Sequence, residues 1–142
     1  MPTAFDFQPE KELILTACSG TVSSNEIVEC VRAIRRDTRY RPELNGVCDV
    51  REGTLSFGAD EARALAREIA GGEHPSRGKW AFLIDEPRAT ALVLVFGSER
   101  GANSPVRVFA TARSASDWLD CHVGEQDLLT LRTRAARTSE TP

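Results

Sequence analysis

Hydrophobic and polar positions change period several times along this chain. Phe5 and Phe7 alternate with polar neighbours, and residues 13–18 (LILTAC) form an apolar, β-rich run. The polar stretch 8–12 (QPEKE) between them suits a turn, so the two runs predict a β-hairpin closed by Gly20. Ser23 followed by Glu26 has the spacing of a capping box, with Val22 and Ile27 at the staple positions. Ile27, Val31 and Ile34 then recur at helical spacing, with Glu29, Arg32 and Arg36 on the other faces. This helix is expected to end near Asp37, before Tyr40-Arg41-Pro42.

Residues 46–50 (GVCDV) are short, apolar and bounded by turn formers, which predicts a buried strand followed by a loop over 51–59. Asp60 is placed to cap a second helix carrying Ala62, Leu65, Ala66 and Ile69 on one face, and Gly71-Gly72 is placed to end it. Residues 79–84 (KWAFLI) and 106–109 read as strands, and Thr111 starts a short helix bearing Ala115, Trp118 and Leu119. The stretch 87–101 sends two signals. Leu92 to Phe96 favours a strand by propensity. Pro87 suits a first helical turn, and Arg88, Leu92, Val95, Phe96 and Glu99 recur at helical spacing. Parallel strands on either side would need a crossover, so we assign a helix.

That helix is apolar around most of its girth and must be covered on more than one side. The sheet covers one. The rest falls to the C-terminal residues around Leu128, Leu129 and Leu131, to a second subunit, or to a bound hydrophobic molecule. Residues 127–131 read as a turn of helix and 134–142 (RAARTSETP) as a disordered tail, giving a domain over 1–123 and an extension over 124–142. The order β-β-α-β-α-β-α-β-α predicts a single α/β domain. Its sheet is mostly parallel, with an N-terminal antiparallel hairpin strand. Leu13, Leu15, Val47, Val50, Phe82, Ile84, Val108, Ala115, Trp118 and Leu119 are the expected core.

Composition narrows the function. The 142 residues are 41% hydrophobic and 27% charged, with 18 basic against 21 acidic side chains, a net charge of -3. That balance argues against a nucleic-acid clamp. The longest apolar run, 89–96, falls far short of the ~20 residues that span a bilayer, and residues 1–10 lack a basic start and an apolar core. A cytoplasmic location is therefore expected. Cys18, Cys30, Cys48 and Cys121 form no C-x-x-C pair, so reduced thiols serving as small hydrophobes are expected rather than a zinc site.

Catalytic signatures are weak. Residues 72–79 (GEHPSRGK) have one residue too many for a phosphate loop and lead into a strand, where no helix N-terminus meets a phosphate. His74 and His122 stand apart, and no G-x-S-x-G occurs. No cofactor, no metal and no enzyme activity are expected. The candidate ligand or interaction loop is Asp49, Arg51, Thr54 and Ser56, because ligands of parallel sheets gather outside the carboxyl ends of strands. The competing reading is structural, with Asp49 capping loop amides or pairing with Arg51. Arg35, Arg36, Arg39 and Arg41 form a basic cluster at the end of the first helix, suited either to a solvated face or to an acidic partner.

Several segments fall in a familiar order. Tyr40-Arg41-Pro42 leads into Cys48-Asp49-Val50-Arg51, then Lys79-Trp80-Ala81-Phe82-Leu83-Ile84, and Val106-Arg107-Val108-Phe109 runs into Ala115-Ser116-Asp117-Trp118-Leu119. Over residues 5–122 this resembles the small bacterial SpoIIAA-like proteins of the STAS superfamily, which show a D-x-R after the third strand and a closing A-x-x-W-L. The resemblance implies one α/β domain around a parallel core, with no enzymatic centre. It implies a regulatory or protein-interaction module, whose partner is a second copy of itself or a regulatory protein. Binding of a small apolar ligand or lipid is the alternative. The phosphorylated serine of the superfamily's D-S-x-G motif has no counterpart in Phe57-Gly58-Ala59-Asp60-Glu61, where the acidic pair would repel a phosphate. Thr54 and Ser56 are the nearest upstream hydroxyls.

Overall fold

In the computed structural model, which describes residues 2–72, 74–100 and 104–140, the parallel strands run in the order in which the chain makes them. β1 (Thr3–Gln8) and β2 (Leu13–Val22) form the antiparallel hairpin, joined through a 3-10 turn at Pro9–Lys11. β3 (Asn45–Leu55), β4 (Trp80–Leu83) and β5 (Val106–Phe109) then add in parallel. A sheet that grows one way through right-handed crossovers must carry every crossover helix on one face. α1 (Ser24–Arg36), α2 (Ala59–Ala70) and α3 (Pro87–Arg100) occupy that face. α4 (Ala112–Leu119) and α5 (Glu125–Glu140) follow the last strand and cover the other.

Local chemistry sets the helix starts. The Ser23 hydroxyl accepts from the Glu26 amide at 3.2 Å, and the Glu26 carboxylate accepts from the Ser23 amide at 2.9 Å. α1 stops at Asp37, as its spacing predicts. Glu86 opens α3 by accepting from the Arg88 and Ala89 amides at 2.7 and 2.8 Å, and Pro87 follows at a position that needs no amide. Residues 87–100 are therefore helix, and Gly101 lies outside the described residues.

Several expectations are corrected. β3 does not stop at 50: it runs to Leu55, with residues 52–55 paired to β2 past the point where β4 ends its pairing at Asp49. The extension projects as a two-stranded ribbon with exposed positions, so its pattern looks like a loop. A bulge sits at this point, where Ala17 to Ser19 of β2 face Asp49 to Glu52 of β3. Gly20 does not close the hairpin but lies inside β2 beyond the bulge. α2 starts from Gly58 rather than Asp60, with Glu61 reaching back to the Gly58 amide at 3.4 Å.

The tail expectation is also overturned. α5 runs to Glu140, with Leu128, Leu131 and Ala135 buried against the faces of β1 and β2, and residues 141–142 lie outside the described residues. α5 therefore covers the face opposite α3. The second cover of α3 is α2. Of the expected core, Phe82, Val108 and Trp118 are only partly buried. The thiols divide as well: Cys18 and Cys30 are buried, Cys48 and Cys121 partly so.

Candidate functional site

Asp49 and Arg51 lie on the α4–α5 face of β3, and the structure brings them together with two residues of α5. Asp49 is fully buried. Arg51 Nε donates to Asp49 Oδ1 and Arg51 Nη2 to Oδ2, each at 3.0 Å, while the Arg51 amide donates to Oδ1 at 3.1 Å. Arg132 donates to the same Oδ2, and Glu125 accepts from Arg51 at 3.0 and 3.2 Å. Burial alone would raise the Asp49 carboxyl. The side-chain and amide hydrogen bonds of Arg51, then Arg132, outweigh it and hold the group below its ordinary value. A carboxylate so fully engaged ties α5 to β3. Thr54 and Ser56 do not join it: Thr54 is exposed in the ribbon, and the Ser56 hydroxyl donates to the Val22 carbonyl at 3.1 Å.

The basic cluster likewise disperses into internal pairs. Arg39 grips Asp37 at 3.0 Å and stands 3.5 Å from Asp6, Arg41 stands 3.6 Å from Glu12, and Arg35 turns inward. The segment 72–79 leads into β4, with Glu73 outside the described residues.

The concave feature of this fold lies on the other face. α1 leans on β1 and α3 on β5, while α2 packs mainly on α3 and α1 and turns Ala62 and Leu65 to the apolar cluster shared with β2 and β3. Beneath α2 is a cavity of about 130 Å³. Its floor is Thr16, Cys18, Cys48, Val50, Phe82 and Val106 from the sheet; its walls are Ile27, Cys30, Val31 and Ile34 of α1, Leu65 and Ile69 of α2, and Leu92 and Phe96 of α3. Phe96 meets Phe82 edge-on, with ring centroids 5.9 Å apart. Trp80 closes the floor over Gly46, where a Cβ would fall 2.5 Å from the indole, so only glycine lets the ring lie across β3. The cavity thiols differ: burial pushes Cys30 up to about 11, while the hydrogen bond between Cys18 and Cys48 raises Cys18 and holds Cys48 below its ordinary value.

Polar groups gather at one end of this apolar space, where α1 and α3 finish and β4 begins. Arg35, Tyr40, Ser76 and Arg100 line it. The Trp80 indole donates to the Ser76 hydroxyl at 2.9 Å, and the Tyr40 hydroxyl donates to the His74 carbonyl at 2.9 Å. Arg35 donates to the Ile69 carbonyl and, at 3.3 Å, to that of Gly71, closing the C-terminus of α2. Arg100 Nη2 donates to the Ser76 carbonyl at 3.1 Å. Burial first, and then the Arg35 cation, pulls the Arg100 guanidinium below its ordinary value. Sequence reasoning missed this end because it looked for ligands at the carboxyl ends of strands, and these groups stand at the amino ends. The available signal was Arg100 itself, a cation closing an apolar helix.

The fold can now be placed. The chain is similar to an uncharacterised protein of the DUF3478 family with a SpoIIAA-like fold, from Shewanella loihica PV-4. The two share 16% identity, with a TM-score of 0.53, over 82% of this chain and 93% of that one. No family model and no curated protein matches the sequence. The molecule is thus an α/β protein with a SpoIIAA-like fold, in which one sheet edge is antiparallel and the rest parallel. Among the described residues no helix is long and apolar enough to cross a membrane.

Proposed function

We propose that this protein is a non-catalytic binder of a small apolar molecule, held between α1, α2, α3 and the sheet. The cavity beneath α2 carries the reading: it is lined almost wholly by aliphatic, aromatic and thiol side chains, with a few polar groups at one end. Apolar cavities of about 150 Å³ stay dry and take up molecules the size of benzene. A protein interface or self-association has less to rest on. Among the described residues the large exposed hydrophobics are Leu94 and Leu129, which lie on opposite faces of the sheet, and isolated apolar side chains are ordinary surface. The buried carboxylate, Asp49, is occupied by two arginines, which favours a structural use over acid–base work.

The test is calorimetric titration with octanol, paired with thermal melts. At about a hundredfold over its dissociation constant, octanol should stabilise the protein by about 2.7 kcal/mol, a Tm rise of roughly 5–10 °C. Val31→Phe places a ring in the cavity from α1 and should abolish the response while leaving the circular dichroism spectrum unchanged. Absence of binding to the wild-type protein would remove the reading.

A further inference from the structure

We propose that the ligand of this cavity is a single-chain anionic amphiphile, a carboxylate, with its tail under α2 and its head against Arg100 and Arg35. The inference rests on the apolar-ligand reading and adds the chemistry of the head. Three observations carry it.

The first is an unmet donor. Arg100 Nη1 is buried with no hydrogen-bond partner among the described residues. A guanidinium offers its donors in a planar fork, and a buried donor left idle is costly. The second is charge. Arg35 and Arg100 both line the same end of the cavity, the Arg35 cation disfavours the Arg100 charge, and among the described residues neither forms an ion pair with a carboxylate. Arg39 and Arg41, beyond the end of α1, each have an acidic neighbour, and Arg36 is exposed to solvent. Carbonyls at the end of α2 and of Ser76 satisfy part of the two guanidiniums, and they supply no net negative charge. The third is direction. These cations sit at the end of an otherwise apolar cavity, so a molecule entering tail-first brings its head to them. A carboxylate accepts two parallel N–H bonds from one guanidinium, and such charge-assisted bonds strengthen where water is excluded. The Ser76 hydroxyl lines the same end, and because it accepts from the Trp80 indole its own proton is left to donate to the carboxylate.

The experiment compares octanoate with octanol by calorimetry at neutral pH, in wild-type protein and in Arg100→Gln and Arg35→Gln. Octanoate should bind wild-type protein about tenfold to a hundredfold more tightly than octanol, the range for hydrogen bonds to a charged group. Arg100→Gln should bring the two affinities to within about threefold, with an unchanged circular dichroism spectrum and a cooperative melt showing that the variant is folded. Arg35→Gln should move the ratio the same way by less. Equal or tighter binding of octanol to wild-type protein overturns the anionic head and leaves the apolar reading standing. Binding of neither overturns both. A preference for octanoate that survives in both variants overturns the assignment of the head to these arginines. The wild-type comparison tests the anionic head even if a variant fails to fold, and Arg100→Lys, which keeps the charge and loses the fork, then tests the assignment to this guanidinium by a smaller loss of the octanoate preference.

Discussion

Asp49 shows how a residue that reads as a binding group can serve architecture. Its side chain is wholly buried, and its hydrogen bonds come from Arg51 on its own strand and Arg132 on α5. Asp49→Asn leaves two guanidiniums facing a neutral amide, and breaking a buried pair from one side costs about 3–5 kcal/mol. Denaturant unfolding should show that loss. The lowered carboxyl also fixes a pH dependence. A group whose folded pKa lies below its unfolded one stabilises the fold above the unfolded value, about 3.9 for Asp. That stabilisation is lost as pH falls from there through the folded value. Wild-type stability should therefore decline across this acid window more steeply than that of Asp49→Asn. Equal slopes would mean that Asp49 is not the titrating group. Trp118 makes the converse point. It reads as core, yet its ring lies at the rim of the α4–α5 face, 5.7 Å from Phe109 with Lys79 and Arg107 over it. Trp118→Ala should cost about 1–2 kcal/mol in the same assay, below the 3–5 of a fully buried aromatic.

Among the elements, α5 is the one whose sequence misleads and whose removal should matter most. Its apolar stripe is only Leu128, Leu131 and Ala135, set in a run of Arg, Thr and Ser. Read alone, that is a polar tail. What completes the inner face is Arg132, a charge whose partner lies 83 residues earlier on β3. No local pattern contains that information. A chain ending at Val123 would expose Leu13, Leu15 and Ala17 on the sheet and leave Arg51 without Glu125. It should lose cooperative unfolding and bind a hydrophobic dye, whereas a folded, dye-silent product would show α5 to be an accessory. The elements that were legible carry their instructions within a few residues. The Ser23–Glu26 box, the hairpin runs and the Pro87 start of α3 are local devices, and each appears where the spacing puts it. The continuation of β3 past Val50 was hidden because its ladder partner is β2, and its inward positions are Arg51, Gly53 and Leu55, of which only the last is apolar and large.

At the scale of the molecule, the two faces of the sheet are built to different densities. On one, α4 and α5 bury a continuous cluster from Leu13 to Ala135. On the other, α2 rests on its neighbouring helices above a cavity of about 130 Å³. No stretch of sequence could reveal that space, because its lining is drawn from β2, β3, β4, β5 and all three crossover helices. Each contributes ordinary core residues, and the void arises only in how they assemble. The difference in packing predicts a difference in local stability. Segments with fewer buried contacts open at lower free energy than the global transition. α2 amides should therefore exchange with deuterium sooner than those of α5 residues 128–135 under native conditions. Filling the cavity supplies contacts that α2 lacks. Saturating octanol should slow exchange in α2 and in the last turns of α1 and α3. Exchange in α5 should be changed only by the smaller amount that global stabilisation imposes on its slowest amides. Mass spectrometry of peptides from the two helices separates these outcomes. Equal protection of α2 and α5 without ligand, or a ligand effect spread evenly over both faces, would mean that the void is too small to loosen the layer above it. Slowing confined to α2, α1 and α3 would place the bound molecule where the fold leaves room for it.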